Sequence, residues 1–232
     1  MSATRLPGKP LLRINGLSII SHVFKRAEST NIGEVIVAAE DQEIIDDVKS
    51  NGGKAILTSK NHKTGTDRIY EAFTMLNRDD IGYIMNVQGD EPDIDINDIK
   101  TLHNKMKSSN SEIGTLAANI SNEEMYENES VVKVKIQESF DKNSFPNARN
   151  FIRKTNIQDD VYHHIGIYCY RTDTLKKFVS FNQTKNEIDN KLEQLRALDN
   201  SININVALAN KSPIGIDTKE DYLAIKKIMK YK

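Results

Sequence analysis

The chain has 232 residues, with 32 basic and 33 acidic side chains and a formal net charge of −1. That length suits one large α/β domain, or one domain with a sizeable insertion, burying a core without metal or disulfide staples. The balanced charge gives no global field for nucleic acid or an anionic membrane, the single cysteine excludes an intramolecular disulfide, and no apolar run nears the roughly 18 residues of a membrane span. The N-terminus lacks the apolar core of a secretory signal, so a reducing cytoplasm is expected.

The chain opens on Thr4-Arg5-Leu6-Pro7-Gly8-Lys9-Pro10, a cationic turn. It reads either as a phosphate cradle, with charge, backbone access and little entropy to lose, or as a Pro/Gly surface turn with two solvated charges. Ile19, Ile20, Val23, Phe24 and Ala27 make a helical stripe that ends near Asn31 and Gly33. Residues 34–39 read as a buried strand. A helix follows through Ile44, Ile45 and Val48, with Asp41 as N-cap and Gly52-Gly53 as its stop. A strand is predicted over 54–58, a helix over 68–76, a strand over 83–87, a helix over 97–107 and a strand over 113–120. The stretch 121–160 is charged and Asn-rich, breaks the rhythm with one clear strand at 131–136, and reads as an inserted arm. Regularity returns with a strand at 164–170, helices at 172–179 and 187–198, a strand at 202–209 and a closing helix at 218–229. This alternation predicts an α/β fold with a mixed, mostly parallel central sheet and helices on both faces, of Rossmann-like type. No repeat or linker interrupts residues 1–232, which are read as a single domain carrying the arm.

Two acidic turns stand out. Val87-Gln88-Gly89-Asp90-Glu91-Pro92 follows a predicted strand, where open α/β sheets bind ligands. Asp90 there is either a Mg²⁺ ligand or a solvated acid. In Gly215-Ile216-Asp217-Thr218-Lys219-Glu220-Asp221, Thr218 and Asp221 fit a capping box, which leaves Asp217 just outside the helix. Alone this is a helix start; beside Asp90 it offers the second carboxylate that a Mg²⁺–nucleotide site wants. Residues 62–68 could read a base or phosphate, as weak chemistry. His163-His164 lacks a third ligand at zinc spacing, and Cys169 reads as core. Leu192-Glu193-Gln194-Leu195-Arg196 on its own is a plain helix face. No Ser/His/Asp pattern, Walker A loop or GxGxxG is present.

Taken in order, these segments resemble the 3-deoxy-manno-octulosonate cytidylyltransferases (CMP-Kdo synthetases) over essentially the whole chain. The heptad at 4–10 is similar to that family's phosphate loop, and residues 63–68 to its SGTDR/SGTER turn. Residues 86–92 reproduce NVQGDEP, and 164–170 reproduce HIGIYGYR with Cys169 in place of a glycine. Residues 192–196 match LEQLR, and 215–221 match G[IV]DTPED with Lys219 in place of proline.

The resemblance implies a Mg²⁺-dependent transfer of CMP from CTP to 3-deoxy-D-manno-octulosonate (Kdo), releasing pyrophosphate, for lipopolysaccharide assembly. It implies that Arg5, Gly8 and Lys9 hold the triphosphate, that Asp90 and Asp217 bind Mg²⁺, and that Thr66 and Arg68 seat the nucleotide. Arg5, Lys9 and Asp90 form the catalytic set. By the same resemblance Gln88, Arg153, His164, Glu193 and Gln194 would line the sugar-acid pocket, with Arg153 suited to the sugar carboxylate. A homodimer is expected, without nucleic-acid partners or membrane insertion. A cytidylyltransferase for another acidic sugar, a nonulosonate, is the nearest alternative; a nucleotide-binding module without turnover is the other.

The family's pattern is departed from at Ala39-Glu40-Asp41, where Ala-Thr-Asp is usual, and at Lys63-Thr64. The family also opens with a buried strand and an Ile-Pro-Ala-Arg turn that this sequence does not show. A version extended by that strand is expected to be more stable and more active.

Overall fold

The computed structural model describes residues 6–141 and 144–230. Its elements begin, in chain order, with β1 (Arg13–Ile14), β2 (Leu17–Ser18), α1 (Ile19–Glu28), β3 (Val37–Ala39), α2 (Gln42–Ser50), β4 (Ala55–Leu57) and α3 (Gly65–Met75). They continue with β5 (Tyr83–Asn86), α4 (Ile96–Ser108), β6 (Ile113–Ala118), α5 (Glu124–Glu127), β7 (Lys133–Ile136), β8 (Ala148–Ile152) and β9 (Val161–Arg171). The last are α6 (Thr172–Ser180), α7 (Lys185–Asn190), α8 (Leu195–Asp199), β10 (Ile204–Leu208) and α9 (Lys219–Lys230). The chain divides into two compact units. One comprises Met1–Asn77, Val87–Ile99 and Pro213–Lys232; the other comprises Arg78–Asn86 and Lys100–Ser212.

In the first unit β3 and β4 pair in parallel, as two strands joined by a helix must when they lie side by side. The stripe expected on α1 is buried at Ile19, Val23, Phe24 and Ala27, and Ser18 caps the helix by accepting from Ser21 N at 3.2 Å. Asp47 of α2 fastens α1 and β1. It accepts from Ser18 Oγ at 2.5 Å, from Ser21 Oγ at 3.0 Å and from Arg13 at 3.0 Å. Asp41 stands at the N-cap of α2 as expected, but its side chain makes no capping hydrogen bond. The helix predicted from residue 68 begins earlier, at Gly65, because Thr64 accepts from Asp67 N and opens the first turn. A cluster of Ile14, Ile19, Ile216 and Ile225 is fully buried, with Leu6, Leu12, Tyr222 and Met229 packed against it. Each such side chain contributes about 1.5–3 kcal/mol on burial. Ile216, Tyr222, Ile225 and Met229 come from the end of the chain and Leu6, Leu12, Ile14 and Ile19 from its beginning, so burial binds the two.

In the second unit six strands form one sheet in the order β10-β6-β9-β7-β8, with β5 also on β9. The expected mixed α/β class holds. Parallel pairing in this sheet is confined to β6–β10, however, while β9 runs antiparallel to β5, β6 and β7. The sheet is thus less parallel than the strand–helix rhythm implies, because the long β9 lies among β5, β6 and β7, all of which run opposite to it. The stretch 121–160 supplies two strands where one was expected. β8 escapes the period-2 test because Ala148 and Phe151 are buried while Arg149 and Asn150 between them are exposed. The single helix expected over 187–198 is broken into α7 and α8. Lys191 adopts a left-handed φ of 53° at the end of α7, so the helix cannot continue.

Candidate active site

Three side chains that are far apart in sequence meet in the first unit. Lys9 Nζ donates to Asp90 Oδ2 at 2.8 Å and to Asp217 Oδ1 at 3.2 Å. Local structure sets this up from each side. Gly8 sits at φ 70°, a left-handed value that suits a residue without Cβ, and caps the 3-10 turn Lys9–Leu11. Leu11 N closes that turn onto Gly8 O at 2.9 Å. Ile216 N donates to Asp90 O at 3.0 Å, which lashes the two acidic turns together through the backbone. The predicted capping box is present: Asp221 N donates to Thr218 Oγ1 at 3.2 Å, and Thr218 N to Asp221 Oδ2 at 2.9 Å. Asp217 N donates to the same Asp221 oxygen at 3.1 Å. Gly89 packs on α1, where an added Cβ would lie 3.0 Å from Ile20 Cδ1.

The electrostatics are graded. The Lys9 side chain is 12% exposed, against 34% for Asp90 and 47% for Asp217, so the ammonium is sheltered while the carboxylates stay open to solvent. Next to them, burial first and the Asp90 charge second push the Glu91 carboxyl up to about 8. Near neutral pH Glu91 therefore adds no charge beside Asp90. The ammonium marks a point on which two carboxylates already converge. Such hard oxygen donors suit Mg²⁺, which takes one or two protein carboxylates and completes its shell with phosphate oxygens and water. Among the described residues no group of three or more His, Cys, Asp or Glu stands where it could hold a metal.

The other expected residues distribute as follows. Arg5 lies outside the described residues. Gln88 is half-buried on the Asp90 loop. Thr66 is buried in the first turn of α3. Arg68 pairs with Glu40 and donates to Thr58 Oγ1 at 2.7 Å and to Ser59 O at 3.2 Å. The departure at Glu40 is therefore answered by Arg68, a pairing that no local sequence signal announces.

In the second unit, His164 is 8% exposed and its Nε2 lies 3.1 Å from Thr115 Oγ1. Burial, and secondarily His163, push its pKa down to about 3, so its imidazole is neutral. Tyr168 lies against it, with ring centroids 5.5 Å apart. The Tyr168 phenol is held well above its usual range by burial, with Tyr170 and Glu193 adding to the effect. His164 and Glu193 thus share Tyr168 as a neighbour. Gln194 is buried at the start of α8. Arg153 donates from Nε to Asn190 O at 2.8 Å, from Nη1 to Glu129 O at 2.8 Å and from Nη2 to Lys191 O at 3.0 Å. The fork assigned to a sugar carboxylate is engaged with backbone carbonyls. Arg196 forms a bidentate pair with Glu187 at 2.8 and 2.6 Å, both side chains being buried. Lys133, fully buried, donates to the carbonyls of Asn128, Val131 and Arg153. Cys169 is buried, its thiol pushed up to about 12, as befits core. Sequence reasoning missed Lys133 and Glu187. Lys133 gives no signal, since its acceptors are backbone atoms; Glu187 is signalled by Thr184-Lys185-Asn186-Glu187, a capping box that the structure contains.

An α/β fold with two carboxylates converging on the lysine of a Gly-Lys turn fits a nucleotidyltransferase. A UDP-glucose pyrophosphorylase shares the fold at a TM-score of 0.73 and 12% identity, covering all of this chain and 95% of the other. The family described as cytidylyltransferase matches residues 1–204. The 3-deoxy-manno-octulosonate cytidylyltransferase of Thermodesulfovibrio yellowstonii is 42% identical over 94% of this chain and 91% of its own. That of Rhodopseudomonas palustris is 40% identical over 99% and 94%. A CMP:2-keto-3-deoxy-manno-octonic acid synthetase solved in complex with CTP is 34% identical, with a TM-score of 0.86 over 98% of this chain and 94% of that one. The chain belongs to the 3-deoxy-manno-octulosonate cytidylyltransferases and is an enzyme of cytidylyl transfer.

Proposed function

We propose that the chain transfers CMP from CTP to Kdo in a Mg²⁺-dependent reaction, giving CMP-Kdo and pyrophosphate. The observation that carries this reading is the convergence of Asp90 and Asp217 on Lys9. In the reaction the anomeric hydroxyl oxygen of the sugar forms a bond to the α-phosphorus. The bond from that phosphorus to the β-phosphate oxygen breaks, pyrophosphate leaves, and the hydroxyl proton passes to solvent. Such transfers depend on positioning and charge neutralisation more than on covalent help from the protein.

The Gly8 turn offers backbone at close approach, and Lys9, with Arg5, supplies positive charge to the triphosphate. Asp90 and Asp217 would hold Mg²⁺, which when bound neutralises phosphate charge and lowers the pKa of a coordinated hydroxyl. Thr66 and Arg68 seat the nucleotide. Gln88, His164, Glu193 and Gln194 line the sugar pocket. Arg153 keeps the turn after α7, and with it Glu193 and Gln194, in place, and offers its remaining N–H groups to the carboxylate. On this reading the enzyme acts in the cytoplasm as a homodimer and supplies activated sugar for lipopolysaccharide.

Pyrophosphate release from CTP, measured with Kdo and with a nine-carbon nonulosonate, tests the substrate. Kdo is expected to be preferred by at least about 100-fold in kcat/KM, the discrimination that buried polar pocket groups can supply. Preference for the nonulosonate would overturn the assignment.

A further inference from the structure

The bond between His164 and Thr115 fixes more than the position of a ring. Thr115 Oγ1 lies 2.7 Å from Ile167 O, 3.2 Å from Ile165 O and 3.1 Å from His164 Nε2. These contacts fall where the β6–β9 register shifts, between Thr115 and Leu116. A hydroxyl has one proton to donate and lone pairs to accept with, whereas a carbonyl oxygen only accepts. Two oxygens 2.7 Å apart must share a hydrogen, so the Thr115 proton goes to the carbonyls, chiefly that of Ile167. The lone pairs of Oγ1 are left facing Nε2, and Nε2 must carry the hydrogen between them. The imidazole is neutral, so Nδ1 then has a free lone pair. Nδ1 makes no hydrogen bond among the described residues. The ring makes a T-shaped contact with Phe151, with centroids 5.0 Å apart, and a tilted one with Tyr168 at 5.5 Å.

We propose that Thr115 is a positioning residue: its hydroxyl holds His164 as the Nε2–H tautomer and so presents Nδ1 as a hydrogen-bond acceptor for a hydroxyl of the sugar acid. The inference rests on the reading that His164 lines the sugar pocket, and it deepens that reading into a rule of selection. A group that brings an O–H to Nδ1 is bound, while a carboxylate oxygen set there would meet lone pair with lone pair. Thr115 acts through His164 and does not itself touch the substrate.

Imidazole ¹⁵N spectra of the full chain test the claim, with the His164 resonances identified by their absence in His164→Gln. The wild-type ring is expected to show an unprotonated Nδ1 and a protonated Nε2. Thr115→Val keeps the shape and loses the hydroxyl, and should lose this single-tautomer signature; Thr115→Ser should restore it. In Thr115→Val the KM for Kdo is expected to rise about tenfold, the effect of one misplaced hydrogen bond, with kcat and the KM for CTP within about twofold. A protonated Nδ1 in the wild type overturns the proposal, even where Thr115→Val does not fold. An unchanged tautomer in Thr115→Val also overturns it. A changed tautomer with an unmoved KM for Kdo overturns the acceptor role, and traces the failure to the sugar-pocket reading and not to the Thr115–His164 bond.

Discussion

Replacing Asp90 by Asn is expected to lower kcat/KM for CTP by at least about 10³-fold, because it removes one of the two carboxylates proposed to hold Mg²⁺ at the reacting phosphate. The fold should hardly notice. Asp90 is one-third exposed, and partly solvated ion pairs of this kind contribute only about 0–1 kcal/mol. Its backbone carbonyl, which accepts from Ile216 N, is unaffected by the change. Steady-state pyrophosphate release and thermal unfolding, measured on the same preparation, separate the two effects. Asp217→Asn should behave in the same way, since the capping box that shapes its turn is made by Thr218 and Asp221. A drop in melting temperature of more than about 8 °C alongside the lost activity would assign Asp90 to structure and undercut its proposed catalytic role.

The second large effect falls on stability. Glu187→Ala removes the bidentate carboxylate from the Arg196 guanidinium, which is 2% exposed, and is expected to cost about 3–5 kcal/mol in urea unfolding. The stacking of Arg196 on Phe178, 4.7 Å from the ring centroid, does not replace the lost carboxylate, because a ring face carries no full negative charge. The pair also sets a pH dependence. Burial alone would raise the Glu187 pKa, but hydrogen bonds from Arg196 and Gln183 overcome it and the net shift is downward. A depressed carboxylate binds fewer protons folded than unfolded, so its contribution is present above the ordinary value of 4.5 and fades as pH falls through the lower folded value. Glu187→Ala should remove that part of the acid sensitivity. A loss under about 1 kcal/mol would show that the pair carries little of the fold.

Much of this was legible before any coordinates, because the signals are local. The apolar period of α1, the Thr218–Asp221 capping box and the two acidic turns are each written within a few residues. That Asp90 and Asp217 belong together follows from chemistry, as two hard carboxylates suit one cation. Pairing direction is not local. β9 takes its antiparallel neighbours β5, β6 and β7 from stretches distant in sequence, and no pattern within 161–171 encodes their direction. The partners of Lys133 and Arg153 were illegible for a related reason, since they are backbone carbonyls that any residue could supply. The break between α7 and α8 turns on one left-handed residue, Lys191, a type that gives no warning of positive φ.

Transfer of CMP from CTP to Kdo is one exchange at phosphorus, and ³¹P spectra of the protein with CTP, Kdo and Mg²⁺ follow it at the reacting atom. The three resonances of CTP are expected to give way to one phosphodiester and one pyrophosphate in equal amounts, and both should fail to form without Kdo. Release of inorganic phosphate in their place, or pyrophosphate formed at the same rate without Kdo, would contradict it.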